Sequence, residues 1–217
     1  MKPVHIVIFA KAPQPGKVKT RLIPLLGAEM AAHMAHRMLQ YTLEQALLAR
    51  IGPVELCASP AVTENTWRAV KLPTEVLVSE QGEGDLGQRL SRATLRHVQA
   101  GAAVLLIGTD CPYLDADTLR QAAQTLIHHD ALMIPAFDGG YVLLGLERHH
   151  PSLFEDIAWG TSSVAYETKA RLHSLGMNLV TLPFRYDIDE PADLCHLPKP
   201  WKDIYVHTDE SFCKKNG

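Results

Sequence analysis

Apolar residues in this chain switch between two periods. Short continuous apolar runs occupy residues 4–10, 54–58, 75–79, 103–109, 131–136, 141–146 and 178–182. They are too short for helices and are bounded by glycine, proline or polar turns, so each predicts a strand. Between them, apolar positions recur at helical spacing over 28–50, 86–100, 115–128 and 163–175. In the first of these, Met30, Met34, Met38, Tyr41 and Ala46 fall on or near one face. A short helix is predicted over 61–70 and a last one over 191–196. Gly52-Pro53 and the glycines at 101 and 176 punctuate the series. Strand and helix in alternation predict an α/β fold, a mostly parallel sheet with helices on both faces. Without repeats or a low-complexity linker, residues 1–196 read as one domain and 197–217 as a polar and aromatic C-terminal tail that packs on the domain or on a partner.

Composition narrows the function classes. With 217 residues, 47% of them hydrophobic, and a net charge of −3, the chain can bury a core and is not a disordered segment. No bulk positive charge points to nucleic acid. Cys57, Cys111, Cys195 and Cys213 are scattered without a CxxC pair, so neither zinc nor a disulfide framework is indicated, and reduced thiols in a cytoplasmic protein are expected. The apolar run near Met1 is cut off by Lys11 and two prolines, which makes it a strand and not a signal peptide. No segment is long enough to span a membrane.

Candidate chemistry starts where the 103–109 run ends. Asp110 follows it directly, and Pro112 forbids continuation. Ligands of open α/β sheets collect at the carboxyl ends of strands, which makes Asp110 a site candidate; the same residue could equally cap the following turn. After the first strand comes Lys11-Ala-Pro-Gln-Pro-Gly16-Lys17-Val-Lys19-Thr-Arg21. With Lys2, it brings five cations before the first acid, Glu29. It is not a Walker A loop, because Val18 follows Gly16-Lys17, but Lys11, Gly16, Lys17, Lys19 and Arg21 suit a phosphate or pyrophosphate. A solvated basic loop is the plain alternative.

Gly82-Glu-Gly84-Asp85-Leu-Gly87 is a literal GxGxxG between a strand and a helix. It raises the reading of an NAD-binding oxidoreductase with Asp110 as the ribose acid. Against that, Glu83 and Asp85 would set two negative charges beside a pyrophosphate, and the motif does not follow the first strand. Gly84, Asp85 and Gly87 fit better as the border of a nucleobase or as a helix start. Asp138-Gly139-Gly140 between two strands is a hairpin signal. Its glycines would also let a substrate approach, with Asp138 accepting from a hydroxyl. Trp159-Gly-Thr161-Ser162 precedes a helix, with Ser162 a candidate cap and Trp159 and Thr161 candidate acceptor contacts. In Asp187-Ile188-Asp189, alternation points both carboxylates to one side, and Asp189 before Pro191 could cap a helix. Opposite Asp110, the pair would supply the oxygen ligands that Mg²⁺ or Mn²⁺ prefers.

The segments FAKAPQPGKVKTRL (9–22), GEGDLGQRL (82–90), GTDCPYL (108–114), FDGGYVLLGL (137–146), FEDIAWGTSSV (154–164) and DIDEPADL (187–194) together resemble a bacterial family of the GT-A glycosyltransferase superfamily. That family is similar to phospholactate guanylyltransferases. The resemblance implies a GT-A (nucleotide-diphospho-sugar transferase) three-layer α/β/α sandwich, with Asp110 binding the divalent metal and Asp189 able to join it. It implies transfer from a nucleotide-sugar or NTP donor to a small-molecule acceptor, glycosyl transfer first and nucleotidyl transfer with release of pyrophosphate second. A non-enzymatic nucleotide-binding protein is a third reading, and a homodimer is compatible with all of them. Asp110 and Asp138 are the expected catalytic residues, Asp110, Asp187 and Asp189 the expected metal ligands, and Gly139, Gly140, Trp159 and Thr161 the expected acceptor contacts.

Overall fold

The computed structural model describes residues 2–205. Seven strands, β1 (Val4–Lys11), β2 (Val54–Ser59), β3 (Leu77–Glu80), β4 (Ala103–Ile107), β5 (Ala131–Pro135), β6 (Tyr141–Leu146) and β7 (Leu179–Thr181), form one sheet in the order β3-β2-β1-β4-β6-β5-β7. All neighbours are parallel except β6, which runs antiparallel to both β4 and β5. The helices are α1 (Ile23–Leu26), α2 (Ala28–Ala49), α3 (Leu86–Gln99), α4 (Ala116–Leu126), α5 (Val164–Ser174) and α6 (Lys199–Tyr205).

The two faces of the sheet explain why the central strands read as unbroken apolar runs. Ile6, Ile8 and Leu105 pack with Leu39, Leu43 and Leu119 of α2 and α4 on one face. Val7, Val104 and Leu106 pack with Leu90 of α3 and Leu172 of α5 on the other. A strand covered on both sides has no polar positions to alternate with, and β4 is buried at every residue.

Helix ends follow the chemistry of their caps. Asp85 caps α3, accepting from Gln88 N at 2.8 Å, while the Gln88 side chain accepts from Asp85 N at 3.1 Å. Asp115, not Asp110, caps α4 through Thr118 N at 2.8 Å. Glu190, not Asp189, is the N-cap of the 3₁₀ turn Pro191–His196, with Asp193 closing the capping box. Ser163, not Ser162, stands at the N-cap of α5, without a side-chain cap bond.

Two expectations need correction, and the expected packing of the tail takes a definite place on the domain. The helix predicted over 61–70 is only a 3₁₀ turn, Asn65–Trp67, fixed by a buried Trp67 whose Nε1 donates to Pro60 O at 2.8 Å. So short a segment gains too few helical bonds to offset nucleation. The start of the predicted tail is built into the protein: Leu197, Trp201 and Tyr205 are buried with Leu22, Met34 and Met38, while the rest of it lies outside the described residues. Cys57 and Cys111 are buried free thiols, but Cys195 is disulfide-bonded, since spacing along the chain does not report which cysteines meet in space. Among the described residues no helix is long and apolar enough to cross a membrane.

Candidate active site

The site sits at the carboxyl end of the central strands, where β4 stops and the segment after β7 returns. Ile188 N donates to Asp110 O at 2.9 Å, which ties that segment to the end of β4. Ile188 is fully buried, so Asp187 and Asp189, on either side of it, project together into a cavity of about 250 Å³. Asp138, Gly140, Trp159 and Thr161 line the same cavity, whose apolar wall includes Phe9, Leu86 and Leu90.

Lys19 supplies the central electrostatic contact. Its backbone is left-handed (φ 46°, ψ 41°), and its side chain is only 4% exposed. The ammonium donates to Asp110 Oδ1, to Ile188 O at 2.6 Å and to Asp189 Oδ1 at 2.9 Å. Burial pushes the ammonium toward neutrality, but the two carboxylates outweigh it and hold its pKa above the ordinary value. Asp187 is pushed up to about 7, first by burial and then by the negative charges of Asp138, Asp189 and Asp110. Cys111, the next residue after Asp110, is pushed up to about 12, chiefly by burial, and is a packing thiol.

The basic loop is therefore divided. Lys11 and Lys17 are exposed, and Gly16 provides a positive φ of 75° where the loop turns. Arg21 pairs with Glu190 at 3.2 Å on the surface. Lys19, expected to hold phosphate, has its ammonium on Asp110, Ile188 O and Asp189.

Gly84, Asp85 and Gly87 lie outside the carboxylate cavity, along an open groove of about 600 Å³ with Phe154 and Asp156. Arg89 Nε donates to Gly84 O at 2.9 Å and Arg92 to Gln81 O at 2.7 Å, which pins the loop by its carbonyls. A Cβ on Gly87 would lie 2.2 Å from Phe154 O and 2.6 Å from Trp159 Nε1, so the absence of a side chain here lets those groups approach the start of α3. Gly139 is similar: its φ is 95°, and a Cβ there would lie 2.2 Å from Ser162 O. The hairpin reading of residues 138–140 holds, with Gly140 N donating to Asp138 Oδ1 at 2.8 Å.

Two groups near the site had no clear sequence signal. Gln81 is buried, donating to Ala10 O at 3.1 Å and Cys57 O at 3.0 Å and so joining the ends of β1 and β2. Phe137, 67% exposed, stacks near Tyr186 with ring centroids 5.0 Å apart, and Tyr186 lies flat on His196 at 3.7 Å. This aromatic shelf carries Asp138 and Asp187 as chain neighbours. Only the aromatic content of 137 and 184–186 could have hinted at it.

Among the described residues, no three His, Cys, Asp or Glu side chains already stand as a metal cage. Asp187 and Asp189 line the cavity, and Asp110 stands beside it with one oxygen, like Asp189, engaged by Lys19. The candidate donors are all carboxylate oxygens, the type a hard divalent ion prefers, and the Asp187 carboxyl is held up first by burial and then by the negative charges of Asp138, Asp189 and Asp110.

This sheet order and cavity define the nucleotide-diphospho-sugar transferase fold. The chain aligns over 100% of its length with 96% of a putative nucleotide-diphospho-sugar transferase from Desulfovibrio desulfuricans G20, at 30% identity and a TM-score of 0.83. It belongs to the bacterial family described as "uncharacterized protein conserved in bacteria" (DUF2064), whose profile matches residues 42–161. More distant folds are similar. A CMP:2-keto-3-deoxy-manno-octonic acid synthetase complexed with CTP is 12% identical, with 89% of this chain and 95% of that one covered and a TM-score of 0.54. Rv0371c of Mycobacterium tuberculosis H37Rv in complex with manganese is 18% identical, with 87% and 92% covered and a TM-score of 0.50. No curated protein matches the chain.

Proposed function

We propose that this protein is a transferase that moves a glycosyl group from a nucleotide-diphospho-sugar to a small acceptor, with a divalent metal as cofactor. The observation that carries the reading is the convergence of Asp110, Asp187, Asp189 and Asp138 at the strand ends, beside a cavity walled by Leu86, Leu90 and Trp159. Asp110, Asp187 and Asp189 would hold Mg²⁺ or Mn²⁺, which when bound supplies charge neutralisation for the diphosphate leaving group. The manganese complex of the Mycobacterium structure and the sugar-transferase relative support this assignment.

The chain's own residues account for the rest. Lys11 and Lys17, exposed on the loop after β1, attract the phosphates. Asp138 has one oxygen engaged by Gly140 N and its second outside that bond, so it can accept the proton of an acceptor hydroxyl. Trp159 and Thr161 line the same cavity and bound the acceptor, and the apolar wall of Phe9, Leu86 and Leu90 limits water beside the donor.

Nucleotidyl transfer is the second reading, favoured by the fold shared with the CTP-bound synthetase. A triphosphate calls for more positive charge than a diphosphate, and here Lys19 faces inward and Arg21 is already paired. This favours the diphospho-sugar. The test is a thermal-shift screen of NTPs and nucleotide-sugars with and without Mn²⁺, followed by product analysis with the stabilising donor. Release of nucleoside diphosphate, lost in Asp110→Asn, supports glycosyl transfer. Release of pyrophosphate establishes the second reading, and stabilisation without turnover by any donor points to a binding protein.

A further inference from the structure

Lys19 has a consequence for how the metal enters, which rests on the reading of the site as metal-assisted. An ammonium has three N–H donors. Those of Lys19 meet three acceptors, Asp110 Oδ1, Ile188 O at 2.6 Å and Asp189 Oδ1 at 2.9 Å. No donor remains for a phosphate. The side chain is 4% exposed while Asp110 and Asp189 are 46% and 45% exposed, so the cation lies beneath two carboxylates that still face solvent. The left-handed backbone at Lys19 turns this one side chain inward from a loop whose other lysines, Lys11 and Lys17, stay outside.

We propose that Lys19 is a resident counter-ion that occupies the bridging position between Asp110 and Asp189, so that a divalent cation cannot bridge this pair unless the ammonium leaves it. Each carboxylate gives one oxygen to Lys19, and the pair is half neutralised before any metal arrives. A bare Mn²⁺ or Mg²⁺ therefore meets a weak site. The cation binds firmly only when donor phosphates bring additional negative charge, and so metal and nucleotide enter together. Lys19 acts here as a positioning residue, setting the spacing and charge of the carboxylates without touching the reacting atoms.

The test is Mn²⁺ binding to the whole protein without nucleotide, followed by the loss of the free-ion paramagnetic resonance signal. Wild type should bind weakly. Lys19→Met leaves two carboxylates facing each other without a counter-ion and should bind Mn²⁺ at least about tenfold more tightly, on the scale of close charge interactions. Lys19→Gln keeps hydrogen-bond donors without the charge and should show the same gain, so it carries the test if the Met variant fails to fold. Lys19→Arg should resemble wild type, and Asp110→Asn added to Lys19→Met should cancel the gain. Mn²⁺ should also raise the melting temperature of Lys19→Gln more than that of wild type. Met and Gln variants that bind no tighter than wild type overturn the proposal, as does a wild type that already binds with their affinity. Because neither nucleotide nor turnover is involved, absence of transferase activity would leave this result unchanged.

Discussion

Asp187 connects the electrostatics of the site to the stability of the whole protein. Its carboxyl moves from 3.8 in the unfolded chain to about 7 in the folded one, first through burial and then through Asp138, Asp189 and Asp110. Between those values the folded protein holds a proton that the unfolded chain has lost. Stability must therefore fall as pH rises through this window and level off above it. About three pH units at about 1.4 kcal/mol each set an upper bound of about 4 kcal/mol. The carboxyl is partly exposed, and solvent screening reduces the expected effect to about 2 kcal/mol. Asp187→Asn imitates the protonated carboxyl at every pH. In metal-free buffer, urea unfolding should show the variant about 2 kcal/mol more stable than wild type at pH 8 and equal to it near pH 4. A variant that is less stable at pH 8, or whose gain is the same at both pH values, would refute the reading of Asp187 as a buried carboxyl crowded by negative neighbours.

Three further outcomes follow from packing and capping. Glu55 is buried beneath Arg96, Ser79 and His97; burial pushes its carboxyl upward, but these partners outweigh it and hold it below its ordinary 4.5, so the stability it contributes is present above pH 4.5 and is lost as pH falls further. Glu55→Gln should cost about 1–3 kcal/mol in denaturant titrations at pH 7, since the Arg96 it leaves is nearly half exposed, and should flatten this acid limb. Gly87→Ala should lose about 1–3 kcal/mol, because its Cβ meets the Phe154 carbonyl and the Trp159 ring, and its near-ultraviolet dichroism should report a displaced Trp159. Asp85→Ala removes the side-chain half of the α3 capping box and should cost about 1 kcal/mol while leaving Mn²⁺ binding intact.

Much of the frame was legible because it depends on local rules. The β4 run could be read from its unbroken apolar residues, and Asp110 from its place between that run and Pro112. Asp187 and Asp189 were legible because the apolar residue between them fixed their common direction, and Ile188 is indeed buried. The direction of Lys19 was not legible. It depends on one left-handed residue and on an acid 170 positions away, neither of which leaves a periodic signal. The surroundings of the glycines were not legible for a related reason: sequence shows that a Cβ is missing, not what fills the space, and at Gly87 and Gly139 protein backbone stands where the Cβ would be.

The bond between Ile188 N and Asp110 O joins parts of the chain that every strand of the sheet has already separated. The last strand ends at Thr181, before Asp187 and Asp189 are reached. A polypeptide cut shortly after that strand would own all seven strands yet lack half of the charged cluster and two of the three acceptors that hold Lys19 in place. The charged cluster is complete only when this late segment reaches Asp110 and Lys19, the latter 170 positions from Asp189, and such sequence-distant contacts form at a high entropic cost. Leu197, Trp201 and Tyr205, seated on Met34 and Met38, anchor that closing segment beyond the acids. Loosening this anchor would yield a well-folded but chemically silent protein, a failure that circular dichroism alone would not detect.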